Sequence, residues 1–456
     1  MFSLPLQRYS CRVSLVRWGW LSPGGFLGLQ NRWRVAVRAA VGSTPIHPRL
    51  FYLTSIMTNT LDHIQLTSII SPFFIIESTE LKGTEDNPRV RFVGHLNGNE
   101  SEDTFNLLLK ALEPHNYLAT VRPLDVKQEL ILFSNPTKKK KSQPALHLVM
   151  FMLTLVSVLF TGGLYAYQGT LPDAFFPTVF TLFNAGWPFA LALLAILAAH
   201  EFGHYFAGRK HGVDVTLPFF IPFPFSTFGT MGAFINMRSI PKNKKQLFDL
   251  SVTGPLSGLI LSIIVLFIGM KLSELNSIPL MDENTTGLQM EGNSILYLLI
   301  KYISFGKLLP NPPQMEGAAL LIFWARYFFT GLPFPWGAED VMLHPVAWAG
   351  WAGLFVTTIN LIPVGQLDGG HIFQTVFGTK ALRFSFPLIL AALIIFGFFW
   401  AGWWTWAAIL FFFGQRLAEP LDQISPLDPG RRWLGLFMII IFLITFIPVP
   451  ITIAGF

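Results

Sequence analysis

Two histidines four residues apart, with a glutamate directly after the first, occur in the stretch LAAHEFGHYFAGRKHG at residues 197–212. On a helix, positions i and i+4 lie on one face, so His200 and His204 can present ring nitrogens to one metal ion. Zn²⁺ accepts such nitrogens and, at catalytic sites, keeps one coordination position for water. Glu201 lies beside that face, where it can take a proton from this water. The spacing predicts a catalytic site with one zinc ion.

The alternative is a packed helix in which both histidines are simply hydrogen-bonded. The residues before His200 read ALALLAILAA, which is as apolar as a membrane span. Ionisable side chains inside a span are costly and usually have a function, so three of them within one turn favour metal binding. The one cysteine, Cys11, excludes a thiolate zinc site and an intramolecular disulfide.

Two histidines do not complete the usual three-ligand zinc site, and no third ligand follows nearby. The position of a third histidine in metzincin-type spacing holds Lys210, and His211 comes one residue late. A glutamate one helix further on is also missing, because the next glutamate is Glu274. The third ligand must therefore come from far along the chain.

The best candidate for this ligand lies in TTINLIPVGQLDGGH, residues 357–371. Asp368 follows an apolar stretch and precedes two glycines, which allow close backbone packing and a sharp turn. An ordinary turn at a membrane exit is the alternative explanation of these glycines. His371 and His344 are weaker candidates, since each also fits an ordinary interfacial histidine.

The pairing of HEFGH with NLIPVGQLDGGH resembles the site-2 protease family of intramembrane zinc metalloproteases. The segments TLPFFIPFP, GTMGAFINMRS and GPLSG also fit, and the resemblance is to the prokaryotic and chloroplast subgroup with a soluble N-terminal module. It implies zinc bound by His200, His204 and Asp368, with Glu201 as the catalytic base. It extends over residues 145–450, and more loosely over residues 60–136.

The resemblance also implies that Asn360 holds the substrate backbone or the developing oxyanion. Hydrogen bonding within the helix interrupted at Pro363 is the alternative role for this side chain. GPLSG lacks the asparagine that many relatives have after GPL, so we interpret Gly254 and Gly258 as positions of close helix packing.

The apolar segment at 217–238 contains three prolines and cannot form a regular span. Its second half is typical of a strand. It resembles the family's membrane-dipping β element, which pairs with an extended substrate, and an open strand edge can bind a peptide in this way. An interfacial loop anchored by phenylalanines is the alternative.

The elements that must position these residues are mainly membrane helices. Charged residues make up 13% of the 456-residue chain, against about 25% in a typical soluble domain. Six runs approach or exceed the ~20 apolar residues that span a bilayer: 146–167, 185–206, 250–270, 345–363, 384–414 and 433–451. The predicted fold is a polytopic α-helical membrane protein of about six transmembrane helices, with a membrane-associated β element and a small α/β N-terminal domain.

Charge distribution predicts the orientation of these spans. The lysine run KKKK at 138–141 precedes the first span, and the positive-inside rule places it on the cytoplasmic face. HEFGH then lies near the cytoplasmic end of the second span. The 384–414 run fits either one tilted span or a hairpin near Gly402, which we favour. GAALLIFWARYFFTG, at 317–331, is short for a span and is interpreted as interfacial or re-entrant.

The chain divides into three predicted regions. Residues 1–57 form a basic, disordered extension with seven arginines and no acid in its first 50 positions, interpreted as misassigned upstream sequence or as an organellar transit peptide. Residues 58–140 form the small soluble α/β domain, of β-α-β-β type, and the basic linker. Residues 141–456 form the transmembrane metalloprotease domain.

These features together predict an enzyme that cleaves a transmembrane segment of a membrane-tethered protein. The family resemblance implies a substrate already cut once by another protease. The net charge of +6 comes from the arginine-rich extension, so no nucleic-acid partner is expected. A bacterial plasma membrane is the expected location, with a chloroplast membrane as the alternative. A zinc-dependent transporter and a catalytically silent membrane adaptor are the rival functions.

Overall fold

The computed structural model describes residues 63–84, 87–98, 101–135, 143–280, 288–312, 315–415 and 417–454. The predicted extension over 1–57, with Cys11, and the lysine run at 138–141 lie outside these residues.

The first described region is a small α/β unit. Its elements are helix α1 (His63–Ile70), strands β1 (Phe74–Thr84) and β2 (Asn87–Leu96), helix α2 (Ser101–Leu112), a 3-10 turn (Glu113–His115), and strands β3 (Tyr117–Leu124) and β4 (Lys127–Ser134). The strands form an antiparallel sheet in the order β1-β2-β4-β3. The β-α-β-β unit expected from the sequence is present as β2, α2, β3 and β4, whereas α1 and β1 were not predicted.

Periodicity explains this unit. Phe105, Leu108 and Leu112 are buried on one side of α2, at the spacing of an amphipathic helix. Ala119 and Val121 are buried two residues apart in β3, as expected for a strand with one covered face. The helix and the sheet therefore share one apolar core.

Hydrogen bonds connect this α/β unit to the rest of the chain. The Glu102 carboxylate accepts from Asn243 Nδ2 at 2.9 Å and from Lys245 Nζ at 2.7 Å. The Val121 N–H donates to the Leu421 carbonyl at 2.8 Å. The unit is thus anchored beside the start of a membrane helix.

Within the described residues, four helices are long and apolar enough to cross a membrane: α3 (Pro144–Ala166), α4 (Phe175–Lys210), α5 (Lys244–Lys271) and α10 (Thr379–Phe396). At 1.5 Å per residue, a helix of 23 residues such as α3 spans about 35 Å, more than the ~30 Å hydrocarbon core of a bilayer. The prediction of a mainly helical chain with several membrane-length helices is confirmed, and the number of about six spans stays a prediction.

The other described elements are shorter. They are β5 (Phe219–Pro222), β6 (Thr230–Phe234), β7 (Glu274–Ser277), β8 (Leu288–Glu291), α6 (Ile295–Phe305), α7 (Gly317–Thr330), β9 (Glu339–Met342), α8 (Pro345–Asn360), α9 (Asp368–Phe377), α11 (Gly402–Phe413), α12 (Pro429–Thr445) and β10 (Ile451–Ala454). Strand β7 pairs with β9, and β8 with β10, both antiparallel. The expected spans at 345–363 and 433–451 correspond to α8 and α12, which have 16 and 17 residues.

The apolar run at 384–414 is divided into two helices. Helix α10 ends at Phe396 and α11 begins at Gly402. The indole Nε1 of Trp404 donates to the carbonyl of Ile394 at 3.0 Å, so the two helices are in contact across the break. The break lies where the hairpin interpretation placed it.

Helices α4, α5 and α8 form the centre of the membrane region, and small residues let α5 and α8 approach closely. A Cβ placed at Gly350 would lie 2.8 Å from Leu266 Cγ, and one at Gly353 would overlap the hydroxyl of Ser262. Such small-residue contacts are typical of helix pairs in membranes.

The segment at 217–238 contains a β-hairpin. Strands β5 and β6 are antiparallel, with Phe219 opposite Phe234 and Phe220 opposite Ala233. The expected strand in the second half of the segment is present as β6. Within the described residues this sheet has two strands, so the outer edge of β6 has no strand paired to it.

Candidate metal centre

Three side chains from two helices converge on one point. His200 and His204 lie one turn apart on α4, and Asp368 is the first residue of α9. Their potential ligand atoms all lie within 4.8 Å of one another. The Nε2 atoms of the histidines are 3.1 Å apart, and Asp368 Oδ2 is 3.4 Å from that of His200 and 3.2 Å from that of His204. Among the described residues, this is the one such group of three.

The chain turn before α9 brings Asp368 to the histidines. Helix α8 ends at Asn360, and residues 361–367 reverse the chain before α9 begins. A Cβ at Gly369 would overlap the Leu361 carbonyl, so only glycine lets the first turn of α9 pack on the end of α8. The glycines after Asp368 therefore have the close-packing role expected from the sequence.

The orientation of His204 is determined by the backbone of α5. Its Nδ1 lies 2.6 Å from the Leu250 carbonyl, which accepts a hydrogen bond, so Nδ1 carries the proton. The lone pair of Nε2 then faces His200 and Asp368. Such outer partners fix the tautomer and ring plane of metal-binding histidines. Two imidazole nitrogens and a carboxylate oxygen are a donor set that Zn²⁺ accepts.

Two glycines of α5 make room for the imidazoles. A Cβ at Gly254 would overlap the ring of His204, and one at Gly258 would lie 3.1 Å from His200 Nδ1. Both residues thus have the packing role predicted from GPLSG, and the partners they make room for are the histidines themselves.

Gly254→Ala is expected to displace His204 and lower the affinity for Zn²⁺ by roughly 10–100-fold, the range seen when groups supporting a metal ligand are changed. Affinity is measured on the full chain by competition with a chromophoric chelator. Gly269→Ala is the matched control, because its Cβ would overlap Ala347 of α8, far from the histidines. The control should lower thermal stability and leave zinc affinity unchanged. Unchanged zinc affinity in Gly254→Ala would contradict this role.

Glu201 is buried in the same turn of α4, with 6% of its surface exposed. It is hydrogen-bonded by the backbone of Ile235, directly after β6. The carboxyl group lines the same cavity as the two histidines. It therefore lies between the metal-binding group and the β-hairpin.

Asn360 reaches the centre from the end of α8. Its Nδ2 lies 3.4 Å from His200 Nε2, and the residue lines the same cavity. This contact favours a role at the centre over one within the helix interrupted at Pro363.

The two alternative third ligands differ in position. His371 lies on α9 one turn after Asp368, is 5% exposed and lines the cavity. His344 caps the N-terminus of α8, where its Nδ1 accepts from the Val346 N–H. Asn360 at the other end of this 16-residue helix is about 24 Å away, so His344 is too distant. Asp368 is therefore the residue whose carboxylate contacts both histidines, whereas His371 lies one turn further along α9.

The cavity at this centre has a volume of about 210 Å³. Its wall includes Ala233, Phe234 and Ile235 at the end of β6, besides the polar groups described above. The end of β6 therefore borders the cavity that His200, His204 and Asp368 line.

The sequence does not reveal the side chains that anchor α5 at this point. Arg431 of α12 donates two hydrogen bonds to Asp249, Nε to Oδ1 at 2.7 Å and Nη2 to Oδ2 at 2.6 Å. His211, just after α4, contacts the same carboxylate at 2.8 Å. Asp249 precedes Leu250, whose carbonyl accepts from His204. Because Asp249 and Arg431 are 182 residues apart, no local spacing indicates the pair.

Arg431 also holds the start of its own helix. Asp428 caps α12 by accepting from the Arg431 N–H. Burial alone would raise the pKa of Asp428, but the hydrogen bonds from Arg431 keep this pKa below its ordinary value. The carboxylate is therefore ionised at neutral pH, and Arg431 is paired with two acids, Asp249 and Asp428.

Comparison with known proteins adds independent information. Residues 188–400 match the family model described as Peptidase family M50. Probable zinc metalloprotease EGY1, chloroplastic, of Oryza sativa subsp. japonica is 32% identical over 57% of this chain and 40% of its own length. Probable zinc metalloprotease EGY2, chloroplastic, of Arabidopsis thaliana is 27% identical over 67% of this chain and 49% of its own length. Probable zinc metalloprotease EGY1, chloroplastic, of the same plant is 29% identical over 58% of this chain and 43% of its own length. The chain thus spans less than half the length of each relative. These matches confirm the family resemblance drawn from the two motifs.

Proposed function

We propose that this chain, whose residues 188–400 match the model of peptidase family M50, is an intramembrane zinc metalloprotease that hydrolyses a peptide bond in or near a transmembrane helix of another membrane protein. The observation that carries this proposal is the convergence of His200, His204 and Asp368 beside the buried Glu201. The relatives' names support it, because each is called a zinc metalloprotease.

The proposed reaction assigns each polar side chain one task. His200, His204 and Asp368 would hold zinc, which when bound would polarise a carbonyl group and lower the pKa of water. Glu201 takes a proton from the attacking water and returns it to the departing amine. Asn360 donates its Nδ2–H toward the oxygen on which negative charge develops.

The β-hairpin supplies the proposed substrate platform. A transmembrane helix satisfies its own backbone hydrogen bonds, so its amides must be exposed before hydrolysis. The unpaired edge of β6 can accept an unwound segment as an additional strand. Because the end of β6 forms part of the cavity wall, the paired segment would lie beside Glu201.

The finer topology is also part of the proposal. The proposed spans are α3, α4, α5, α8 and α12, together with the hairpin formed by α10 and α11. With the lysine run at 138–141 on the cytoplasmic or stromal face, α3 crosses away from that face and α4 returns to it, so the metal centre lies near it. Basic residues in the last turn of α4 and after it support this side: Arg209, Lys210, Arg238, Lys242, Lys244 and Lys245. Cysteine accessibility labelling of single-cysteine variants in sealed vesicles would test it, and labelling of residue 212 from the opposite face would refute it.

The membrane and the substrate class complete the proposal. The names of the relatives favour the chloroplast alternative over a bacterial plasma membrane. Fluorescence of a C-terminal fusion would decide between organelle and cell surface.

The substrate is a membrane-tethered protein shortened by a first protease. If an intact reporter is cut as fast as a pre-cut one, this requirement is wrong.

Removal of the metal is expected to stop cleavage reversibly. The full chain in liposomes, mixed with a single-span reporter, should lose activity on treatment with a zinc chelator. Added Zn²⁺ should restore it, whereas Mg²⁺ should not, because imidazole ligands suit zinc and an all-oxygen shell suits magnesium. Fragment yield on gels measures both effects. Unchanged cleavage after verified zinc removal would contradict the proposed function.

A silent adaptor with the same fold is the second candidate. It would be expected to have lost a ligand or the base, yet His200, Glu201, His204 and Asp368 all line one cavity. The metal-removal experiment separates the two, since an adaptor shows no cleavage at any zinc level.

A further inference from the structure

A second cavity borders the middle of α4, about three turns before the metal centre. It has a volume of about 280 Å³ and includes Phe189 in its wall. His200 follows eleven residues later on the same helix, a separation of about 17 Å along the axis. The other walls come from the end of α3, from strands β8 and β9, and from the start of α8.

One part of this wall is apolar and aromatic, and another is acidic. Tyr165 and Trp348 contribute rings to the apolar part. Glu291 and Asp340 contribute carboxylates, although these residues are only 9% and 3% exposed. A cavity that combines carboxylates with aromatic rings is suited to an organic cation, because both groups attract positive charge.

Charge within the cluster is not balanced. Lys301 on α6 is fully buried, with Nζ 3.1 Å from Asp340 Oδ1 and 3.2 Å from Glu291 Oε1. Its ammonium also lies 4.8 Å from the ring centre of Tyr297, whose hydroxyl donates to Glu291 at 2.9 Å. One ammonium thus faces two carboxylates, and it lies outside the cavity wall. With both carboxylates ionised, the cluster carries one negative charge more than Lys301 balances. Burial raises the pKa of Glu291, because a buried charge is costly without a partner, and a cation in the cavity would supply that partner.

An unpaired hydrogen-bond donor gives a second, independent indication. The Nε1 of Trp348 has no hydrogen-bond partner within the described residues, although this side chain is 9% exposed and lines the cavity. The neighbouring Trp351, in contrast, donates its Nε1–H to the Gly292 carbonyl at 2.8 Å. A buried indole N–H normally has an acceptor, and this one lacks it in a residue that borders the cavity.

We propose that this second cavity binds an organic ammonium ion with an apolar body, its nitrogen at Glu291 and Asp340 and an acceptor atom at Trp348. A small free amine and the lysine side chain of a peptide share this chemistry. The assignment stands on residues that the metal centre does not use, so it is independent of the proposed protease function.

The test is calorimetric titration of the full chain in nanodiscs with phenethylammonium and with 3-phenylpropanol, a neutral analogue of similar shape. The ammonium should bind and the alcohol should bind at least tenfold more weakly. An N-acetylated lysine-phenylalanine dipeptide amide forms the second arm: tighter binding than phenethylammonium assigns the site to a peptide, and weaker binding assigns it to a free amine. Equal binding of cation and alcohol, or no binding of either cation, overturns the proposal.

Variants separate this site from the metal centre. Glu291→Gln removes one charge, keeps the shape of the side chain, and should weaken ammonium binding at least tenfold. Glu339→Gln is the matched control, because this partly exposed neighbour of Asp340 pairs with Lys307 and lies outside the cavity wall. His200→Ala should leave ammonium binding unchanged. If Glu291→Gln does not fold, Trp348→Phe takes its place as the test variant. This change keeps an aromatic ring, removes the N–H donor and should weaken ammonium binding several-fold. Unchanged affinity in the folded variants overturns the site.

Discussion

Glu201→Gln is expected to abolish peptide-bond cleavage by the full chain while its bound zinc stays in place. The glutamine has nearly the same shape, so the packing of α4 and the positions of His200 and His204 are kept. Its amide cannot take a proton from water, and loss of a general base typically lowers the rate by about 10²–10⁴-fold. Cleavage of a single-span reporter and zinc content are measured on the same preparation.

The control for this variant is Glu274→Gln, an equivalent change at an exposed glutamate of β7. It should cleave the reporter at the wild-type rate. Wild-type cleavage by Glu201→Gln would show that the proton is taken by another group and that the proposed mechanism is wrong. Loss of zinc together with activity would instead make Glu201 necessary for metal binding.

Asp368→Ala is expected to strip the metal from the chain. It leaves two histidines on one helix turn, and two ligands hold zinc far more weakly than three. Because the change removes a ligand itself, the loss of affinity should exceed the roughly 10–100-fold cost of losing a supporting partner. Chelator competition on the purified full chain measures this loss, and cleavage should disappear with the metal.

His371→Ala is the matched control for Asp368→Ala, since the two residues lie one turn apart on α9 and line the same cavity. It should leave zinc affinity within a few-fold of wild type. The opposite pattern, with zinc retained in Asp368→Ala and lost in His371→Ala, would transfer the third-ligand role to His371.

The positions of the two histidines and the glutamate could be predicted from HEFGH alone. A helix repeats every 3.6 residues, so a four-residue spacing fixes a shared face whatever the tertiary structure. Asp368 required a different argument, because it is far along the chain. The absence of a nearer ligand, the two glycines after it and the family resemblance indicated it together. The structure brings it to within 3.4 Å of both Nε2 atoms.

The features that support the site could not be predicted in this way. The Leu250 carbonyl that orients His204 is a backbone atom, and any residue type would supply it. The Asp249–Arg431 pair joins α5 to α12, so it depends on how the helices pack and leaves no local pattern. The same holds for the buried Lys301, which reads in the sequence as one charge within an aromatic helix.

Local sequence patterns predicted most helices and strands of the small α/β unit, but they did not predict α1 and β1. Strand β1 carries Glu77 and Glu80 among apolar residues. In the structure the strand is ordered by pairing with β2 over ten registered positions. Sheet pairing thus overrode a weak local preference.

The most direct test of the account is to map the bond that the zinc-loaded full chain cuts in a single-span reporter held in liposomes. Mass spectrometry of the fragments identifies the cut. The account predicts a cut within or at the edge of the apolar span, present with wild type and absent with Glu201→Gln. A cut confined to the soluble flanks, or the same cut made by Glu201→Gln, would contradict it.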